Sequence, residues 1–589
     1  LFNKYYQDEL AYLRDLGREF ADAYPALAPM LADSGGDPDV ERLLEGVAFL
    51  TGRIRQKLDD ELPEVVLAIA ELLFPQLVRP LPGAAILELK PLPNVLRERR
   101  LLKRGAEFSS VPVDGTPCRF RSSYDVEMVP WTVKNVRLEL LPAAREQLCI
   151  DIEVPPGLDF SEGSPERLRL HFAGDPRTAF GLLLWIHQHA EEVVLTEPRS
   201  PPGQKREVSL GKQALRAVGF EDDEALVPFA RTAFPGFRYL TEYNVLPAKF
   251  AFVDVMDTKR AAELGAKITE FTLAIRFDSQ LPPLPEVNKD SVKLHCTPVV
   301  NVFDTTAEPI RLEATREQYL VRPAGLPRAH GSVYAIKSVE AVLRGGSERY
   351  PVPSFFEFTD TSSRGAAGRI FYTTHLRPGV VGDSSDMTLS VGTAEASGVQ
   401  PQADLLSIDL LATNQRAANA VRAGEIRVPT ASSPPYATFG NLGSVTTYVP
   451  PLVGRELLWR VIAHAAMNLR SLTDPEVLKA MLRVYNLHGQ VDRQAARANQ
   501  LRVDSIKDVS VQGIERLYRG APVRGVAIDV TCDESGFAGE GDLFLFGMLL
   551  DRLFASYVSI NSFARTTINS LQSKARYAWP PRSGNLTLL

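Results

Sequence analysis

The pattern of apolar and polar positions divides the chain into three stretches. Over residues 1–80 the apolar positions recur at helical spacing. Leu10, Leu13, Gly17, Phe20 and Tyr24 form one stripe, and Pro25 ends it. Asp37-Pro38 opens a second helix, with Asp as cap and Pro at the first helical position, where its missing N–H costs nothing. Its apolar face is Val40, Leu43, Leu44, Val47, Leu50, Ile54 and Leu58; Glu41, Arg42, Glu45, Arg53, Arg55, Gln56, Lys57 and Asp59 take the other face. Pro63 interrupts the pattern, and a third short helix runs through Phe74 until Pro75 stops it. Short helices of this kind make a thin core, so the segment is expected to bury its stripes against another part of this chain or another chain.

From about residue 84 the period becomes two. Val136, Leu138 and Leu140 alternate with polar neighbours, as do Ile150, Ile152 and Val154, then Leu168, Leu170 and Phe172. Asp175-Pro176 caps a helix (Thr178 to His189), Val193-Val194-Leu195 returns as a strand, and Phe271, Leu273, Ile275 and Phe277 give the clearest alternation. Strands punctuated by proline continue to about residue 450, among them Leu406, Ile408 and Leu410. After Pro450-Pro451 helices return. Leu457, Leu458, Val461, Ala465 and Leu469 line one, and Asp474-Pro475 opens another. Val526, Ile528 and Val530 mark a strand, and Leu543 to Ala555 is too long an apolar run for a strand and reads as a buried helix. The expected fold class is α+β multidomain: an N-terminal helical region 1–82, a β-rich α+β domain 83–290 with a small α/β insertion, a second antiparallel β-rich domain 291–450, and a C-terminal α/β domain 451–589.

Composition narrows the class without naming a function. The 589 residues suggest about four domains. The 43 prolines exceed the usual ~5% and fit many short elements. A net charge of −6 gives no basic field for nucleic acid or anionic lipid. The basic run Arg97 to Arg104 and the acidic run Glu221-Asp222-Asp223-Glu224 read as a solvated connector and a solvated helix start. Four widely spaced cysteines suit a reducing compartment, and no apolar run approaches the ~20 residues of a membrane span. No signal-peptide pattern opens the sequence, a short stretch is expected before Leu1, and the chain is expected to be cytoplasmic.

Candidate chemistry is sparse. Phosphate-loop, dinucleotide, nucleophile-elbow and zinc-protease patterns are absent, and Gly536, Gly539 and Gly541 read as a flexible turn. His187, His189 and Glu191 form the one metal-like cluster, which motivates a metal-dependent hydrolase as an alternative but lacks a clear third distant ligand and pocket. A β-sandwich module for carbohydrate or peptide, with Tyr436 and Tyr448 as surface aromatics, is a second alternative. Tyr239, Phe250 and Phe252 read as core rather than base-stacking residues.

Larger blocks carry a resemblance. They begin with Tyr5-Tyr6-Gln7-Asp8-Glu9-Leu10-Ala11-Tyr12-Leu13-Arg14, then Asp37 to Leu44, Lys57 to Glu64, and Phe74-Pro75. The middle has Gly219-Phe220, Pro235-Gly236-Phe237-Arg238-Tyr239-Leu240-Thr241-Glu242-Tyr243, Pro247-Ala248-Lys249-Phe250 and Cys296 to Phe303. The end has Phe537-Ala538-Gly539-Glu540-Gly541, Tyr557 to Phe563 and Trp579-Pro580-Pro581-Arg582. Taken in order, they resemble the TssF family of type VI secretion baseplate subunits; Asn244-Val245-Leu246-Pro247 departs from the family's Phe-x-Phe-Pro. The resemblance implies a structural, non-enzymatic protein with a fold like phage baseplate wedges and no cofactor. It implies two TssF copies with one TssG, joined by TssE and TssK, around the VgrG hub. Such wedges support the inner tube and contractile sheath and reach the membrane complex through TssK, without direct membrane insertion. Within that picture Val40, Leu43, Leu44, Val47, Ile54 and Leu58 are expected to divide between the chain's own core and a helical bundle with TssG or the second TssF.

Overall fold

The computed structural model describes residues 6–7, 10, 13, 42–53, 70–71, 73–93, 95–156, 164–197, 206–229, 234–265, 268–313, 316, 318, 319–343, 349–355, 370–378, 385–393, 403–452, 455–465, 467, 469, 471–518 and 520–584. The cap Asp37-Pro38, the break at Pro63, and Val40, Ile54 and Leu58 lie outside these residues. Residues 42–53 are helical, as the period of the sequence predicts.

The β-rich middle is built from antiparallel sheets. A six-stranded sheet runs in the order Ile426–Val428, Glu107–Ser110, Arg119–Ser122, Cys296–Val300, Ala84–Pro91, Ala437–Asn441. A five-stranded sheet centres on Glu270–Phe277, which pairs with Arg145–Glu153 on one side and Ala190–Thr196 on the other. A central strand is covered on both faces, so Thr272 and Ala274 are buried along with the alternating Phe271, Leu273, Ile275 and Phe277. Strands Ser332–Leu343 and Ala403–Thr413 form the spine of a further sheet.

The C-terminal part contains a βαβ crossover. Strand Ala521–Cys532 runs parallel to Phe563–Ser570, and helix Glu540–Ser556 connects them. That helix is buried on every side, from Leu543 to Phe554, as an all-round apolar pattern requires. Each such Leu or Phe contributes roughly 1.5–3 kcal/mol by leaving water. Gly541 belongs to this helix rather than to a flexible turn. A Cβ there would lie 2.2 Å from the Phe180 carbonyl carbon, so only glycine lets the helix meet helix Pro176–Leu184 so closely. The Asp175 cap predicted for that helix accepts the Arg177 N–H at 2.7 Å.

Two expected boundaries do not separate independent cores. The six-stranded sheet draws strands from both sides of residue 290 and again from 426–441. The largest hydrophobic core takes residues from Ala70 to Leu294 and from Leu452 to Trp579. The chain therefore leaves the central body, builds the sheet around Ser332–Leu343, and returns. A linear reading of period finds elements but cannot see which distant strands share a sheet. Phe74 and Leu77 sink into that shared core, so the end of the thin helical start does pack on the rest of the chain.

Candidate assembly surface

Two of the motif blocks, Phe74-Pro75 and Pro235 to Tyr243, meet behind helix Pro235–Val245. Phe237 points inward from it and meets Phe74 at 5.7 Å, His464 at 4.9 Å and Tyr485 at 5.6 Å between ring centroids. His464 and Tyr485 share a hydrogen bond of 3.1 Å, so the aromatic cluster also satisfies its polar atoms. Residues from four separate parts of the chain thus meet on one helix face.

Beside it lies a buried ionic frame. Lys249, fully enclosed, donates to Glu242 and, at 2.6 Å, to the Gly219 carbonyl. The other Glu242 oxygen accepts the Leu226 N–H at 2.6 Å. Burial pushes the Lys249 ammonium down while Glu242 opposes that push, so the pair holds only while both members are present. Arg169 bridges Asp254 (2.6 and 2.7 Å) and Glu224 (2.8 Å) and lies over the Tyr124 ring. Glu224 is therefore not part of a solvated helix start; Glu221, Asp222 and Asp223 remain outside, but Glu224 turns in to neutralise Arg169. Gly219 adopts φ +103°, where side chains are strained, and a Cβ there would lie 3.1 Å from the Tyr124 hydroxyl. Asn301, of the block Cys296 to Phe303, donates to the Arg119 carbonyl and the Asn414 side chain and accepts from Thr413 and the Asn414 N–H. These motif residues hold the fold together from inside.

The metal-like cluster comes apart. His187 is half-buried, with its Nε2 enclosed and its ring stacked on Phe544, and desolvation pushes its imidazole down to about 4. His189 turns to Asp278 at 3.0 Å, and Glu191 faces Arg145 at 3.5 Å. Among the described residues no three His, Cys, Asp or Glu side chains converge as metal ligands. The four cysteines are free and buried, and burial raises their thiols, to about 11 for Cys118 and about 12 for Cys149 and Cys532, away from the thiolate form that nucleophiles need. Tyr448, expected at the surface, is buried with its hydroxyl near Ser332, and Tyr436 is partly buried.

The outside includes apolar helix surface, besides single exposed apolar side chains such as Leu140 and Leu517 on strands. On helical residues 42–53, Leu43 is 71% and Leu50 62% exposed, Val47 is exposed and Leu44 half-buried, while Ala48 and Gly52 are buried. Helix Arg455–Ala465 has a second such face. Leu457, Val461 and His464 point inward, but Trp459 (71% exposed) and Ile462 (52%) point to solvent three residues apart. Of the predicted stripe, Leu457 and Val461 lie on the inner face. The signal that could have found the outer face was present, since Trp459 and Ile462 share a spacing of their own. No helix among the described residues is long and apolar enough to cross a membrane.

Known proteins agree with the sequence blocks. The family described as "Type VI secretion system, TssF" matches residues 1–586. The type VI secretion system component TssF1 of Pseudomonas aeruginosa (strain PAO1) is 28% identical over 626 aligned residues, covering 99% of this chain and 98% of that protein. A chain of the TssK-TssF-TssG baseplate subcomplex solved by cryo-electron microscopy superimposes with TM-score 0.77 at 29% identity, covering 93% of this chain and 99% of that one. A chain of the type VI secretion baseplate complex matches with TM-score 0.59 at 27% identity over the full length of both. With a family match across nearly all of its length and a fold shared with baseplate chains, this protein belongs to the TssF family of type VI secretion systems.

Proposed function

We propose that the chain is a structural subunit of the baseplate wedge, working by assembly and not by catalysis. Its partners are a TssG protein and a second copy of itself, with TssK and TssE attached to the wedge and the VgrG hub at its centre. In this reading the wedge supports tube and sheath, and the chain works in the cytoplasm, docked at the membrane-anchored apparatus through TssK. The observation that carries the proposal is its likeness, over 93% of its length, to a chain of a TssK-TssF-TssG subcomplex. The apolar faces left open on two helices supply the physical means, because large exposed apolar side chains mark surfaces that another protein covers.

The stripe Val40, Leu43, Leu44, Val47, Ile54 and Leu58 is proposed as the bundle-forming part of that surface. Leu43 of that set and Leu50, beside it on the same apolar helix face, are best placed to test it, since both face solvent in the isolated chain. The Leu43→Glu/Leu50→Glu protein should fold as the parent does, because neither side chain contributes to a core. It should nevertheless lose co-purification with TssG. Normal wedges from the double variant would exclude this stripe as the bundle surface.

A further inference from the structure

Strand Ile506–Tyr518 runs for 13 residues, against about 5–6 in an ordinary strand. It is the outer edge of the C-terminal sheet and pairs on one side with Ala521–Cys532. Among the described residues, no backbone hydrogen bond ties 508–517 to anything on the other side. The two strands also outrun the rest of their sheet. Phe563–Ser570 joins Ala521–Cys532 only from Gly525 onward, so residues 515–518 and 521–524 stand out as a ribbon of two strands. Such a ribbon is marginal in water, and an open edge of this length is a template for a further strand.

Charged side chains usually blunt an edge. Here their order selects one partner. Asp508, Ser510, Gln512, Ile514 and Arg516 alternate along one face, all exposed but the half-buried Ile514. Asp508 and Arg516 stand at equal distances in sequence on either side of Gln512, with opposite signs. Neither makes an ion pair among the described residues, whereas Lys507 reaches Asp533 at 3.8 Å and Glu515 reaches Arg524 at 3.3 Å. If this strand meets a second copy of itself antiparallel, with Gln512 opposite Gln512, Asp508 of each copy faces Arg516 of the other. The same alignment lays the Lys507 stem over Leu517, which is 73% exposed in the single chain. Centring the pair on Val511 instead sets Lys507 against Glu515, and both of those already have partners.

We propose that two copies of this chain pair antiparallel through these edges, in register about Gln512, so that the sheet continues from one molecule into the next. Main-chain hydrogen bonds supply the attraction, and the Asp508–Arg516 pairs, repeated by the two-fold symmetry, fix the register. This inference rests on the proposed function for the presence of a second copy. It gives that copy a contact surface apart from the helix face at Leu43 and Leu50.

The test uses the full chain, alone and co-purified with TssG, and reads disulfide cross-linking under mild oxidation. Gln512→Cys should link two copies of the chain, because directly opposed Cβ atoms lie only ~4.5–5.5 Å apart. Arg524→Cys, exposed on the neighbouring strand, should not. The chain's own four cysteines are buried and give a low background. In the Gln512→Cys chain, Asp508→Arg or Arg516→Asp alone should slow the cross-link at least about tenfold, since each sets like charges opposite one another twice. Asp508→Arg and Arg516→Asp together should restore it. No cross-link at 512 in either preparation, a link from 512 to TssG instead, or no recovery in the double reversal overturns the proposal. Loss of the cross-link with TssG still bound counts against this edge alone. A retained cross-link in a chain that does not bind TssG counts against the proposed function and not against the edge.

Discussion

His171 and His295 are buried and His187 is half-buried with its Nε2 enclosed, and each makes the same kind of contribution. Burial pushes their imidazoles to about 3, about 4 and about 4 respectively. His171 donates from Nδ1 to the Ala251 carbonyl, and His295 accepts the Val129 N–H through Nε2, so each is held neutral. Their folded values lie below the ordinary ~6.5, which sets the sign. The stability they contribute is complete above ~6.5 and is lost as the pH falls through the folded values. Each contributes a slope of up to about 1.36 kcal/mol per pH unit within that window. Urea midpoints should therefore fall between about pH 6.5 and about pH 4, and His187→Phe, which suits the stacking place on Phe544, should flatten the slope by about one proton. A slope unchanged in that variant would mean His187 is not kept neutral by the fold.

At the scale of elements, helix Arg455–Ala465 shows what two apolar faces mean. Leu457 lies in the core, and Leu457→Ala should cost roughly 2–5 kcal/mol in urea unfolding. Trp459→Ser and Ile462→Ser should stay within about 0.5 kcal/mol of the parent, because these side chains have little to lose in the isolated chain. A large loss of stability from Trp459→Ser would place that face inside the fold and remove it from the proposed surface. The same helix shows how far the sequence could be read. Its period, the Asp175 and Asp474 caps, the buried run from Leu543 and the strand alternation at Phe271 are local patterns, and the structure contains each of them. Partnership between distant residues was not local. The turn of Glu224 toward Arg169, the seat of Tyr448 and the scattering of His187, His189 and Glu191 all depend on which strands pair across long separations. The motif blocks carried that information only as a likeness, and Lys249, Glu242, Phe237 and Asn301 now give it physical content as ion pairs, ring contacts and bridging amides.

For the whole molecule, the central body closes through residues drawn from both ends of the chain. Phe74 from the N-terminal part, Phe237 from the middle and His464 and Tyr485 from the C-terminal part occupy one cluster. A scaffold that transmits load benefits from such closure, because no single linker carries the connection between its parts. Two exposed apolar helix faces, at Leu43 and Leu50 and at Trp459 and Ile462, lie outside that cluster. The most direct measurement is the mass and composition of the particle obtained when this chain is co-expressed with the TssG and TssK proteins of its own secretion system. The proposed function predicts a stable heteromeric particle holding two copies of this chain for each TssG. Recovery of this chain alone as a homogeneous monomer, with TssG and TssK eluting separately, would contradict it.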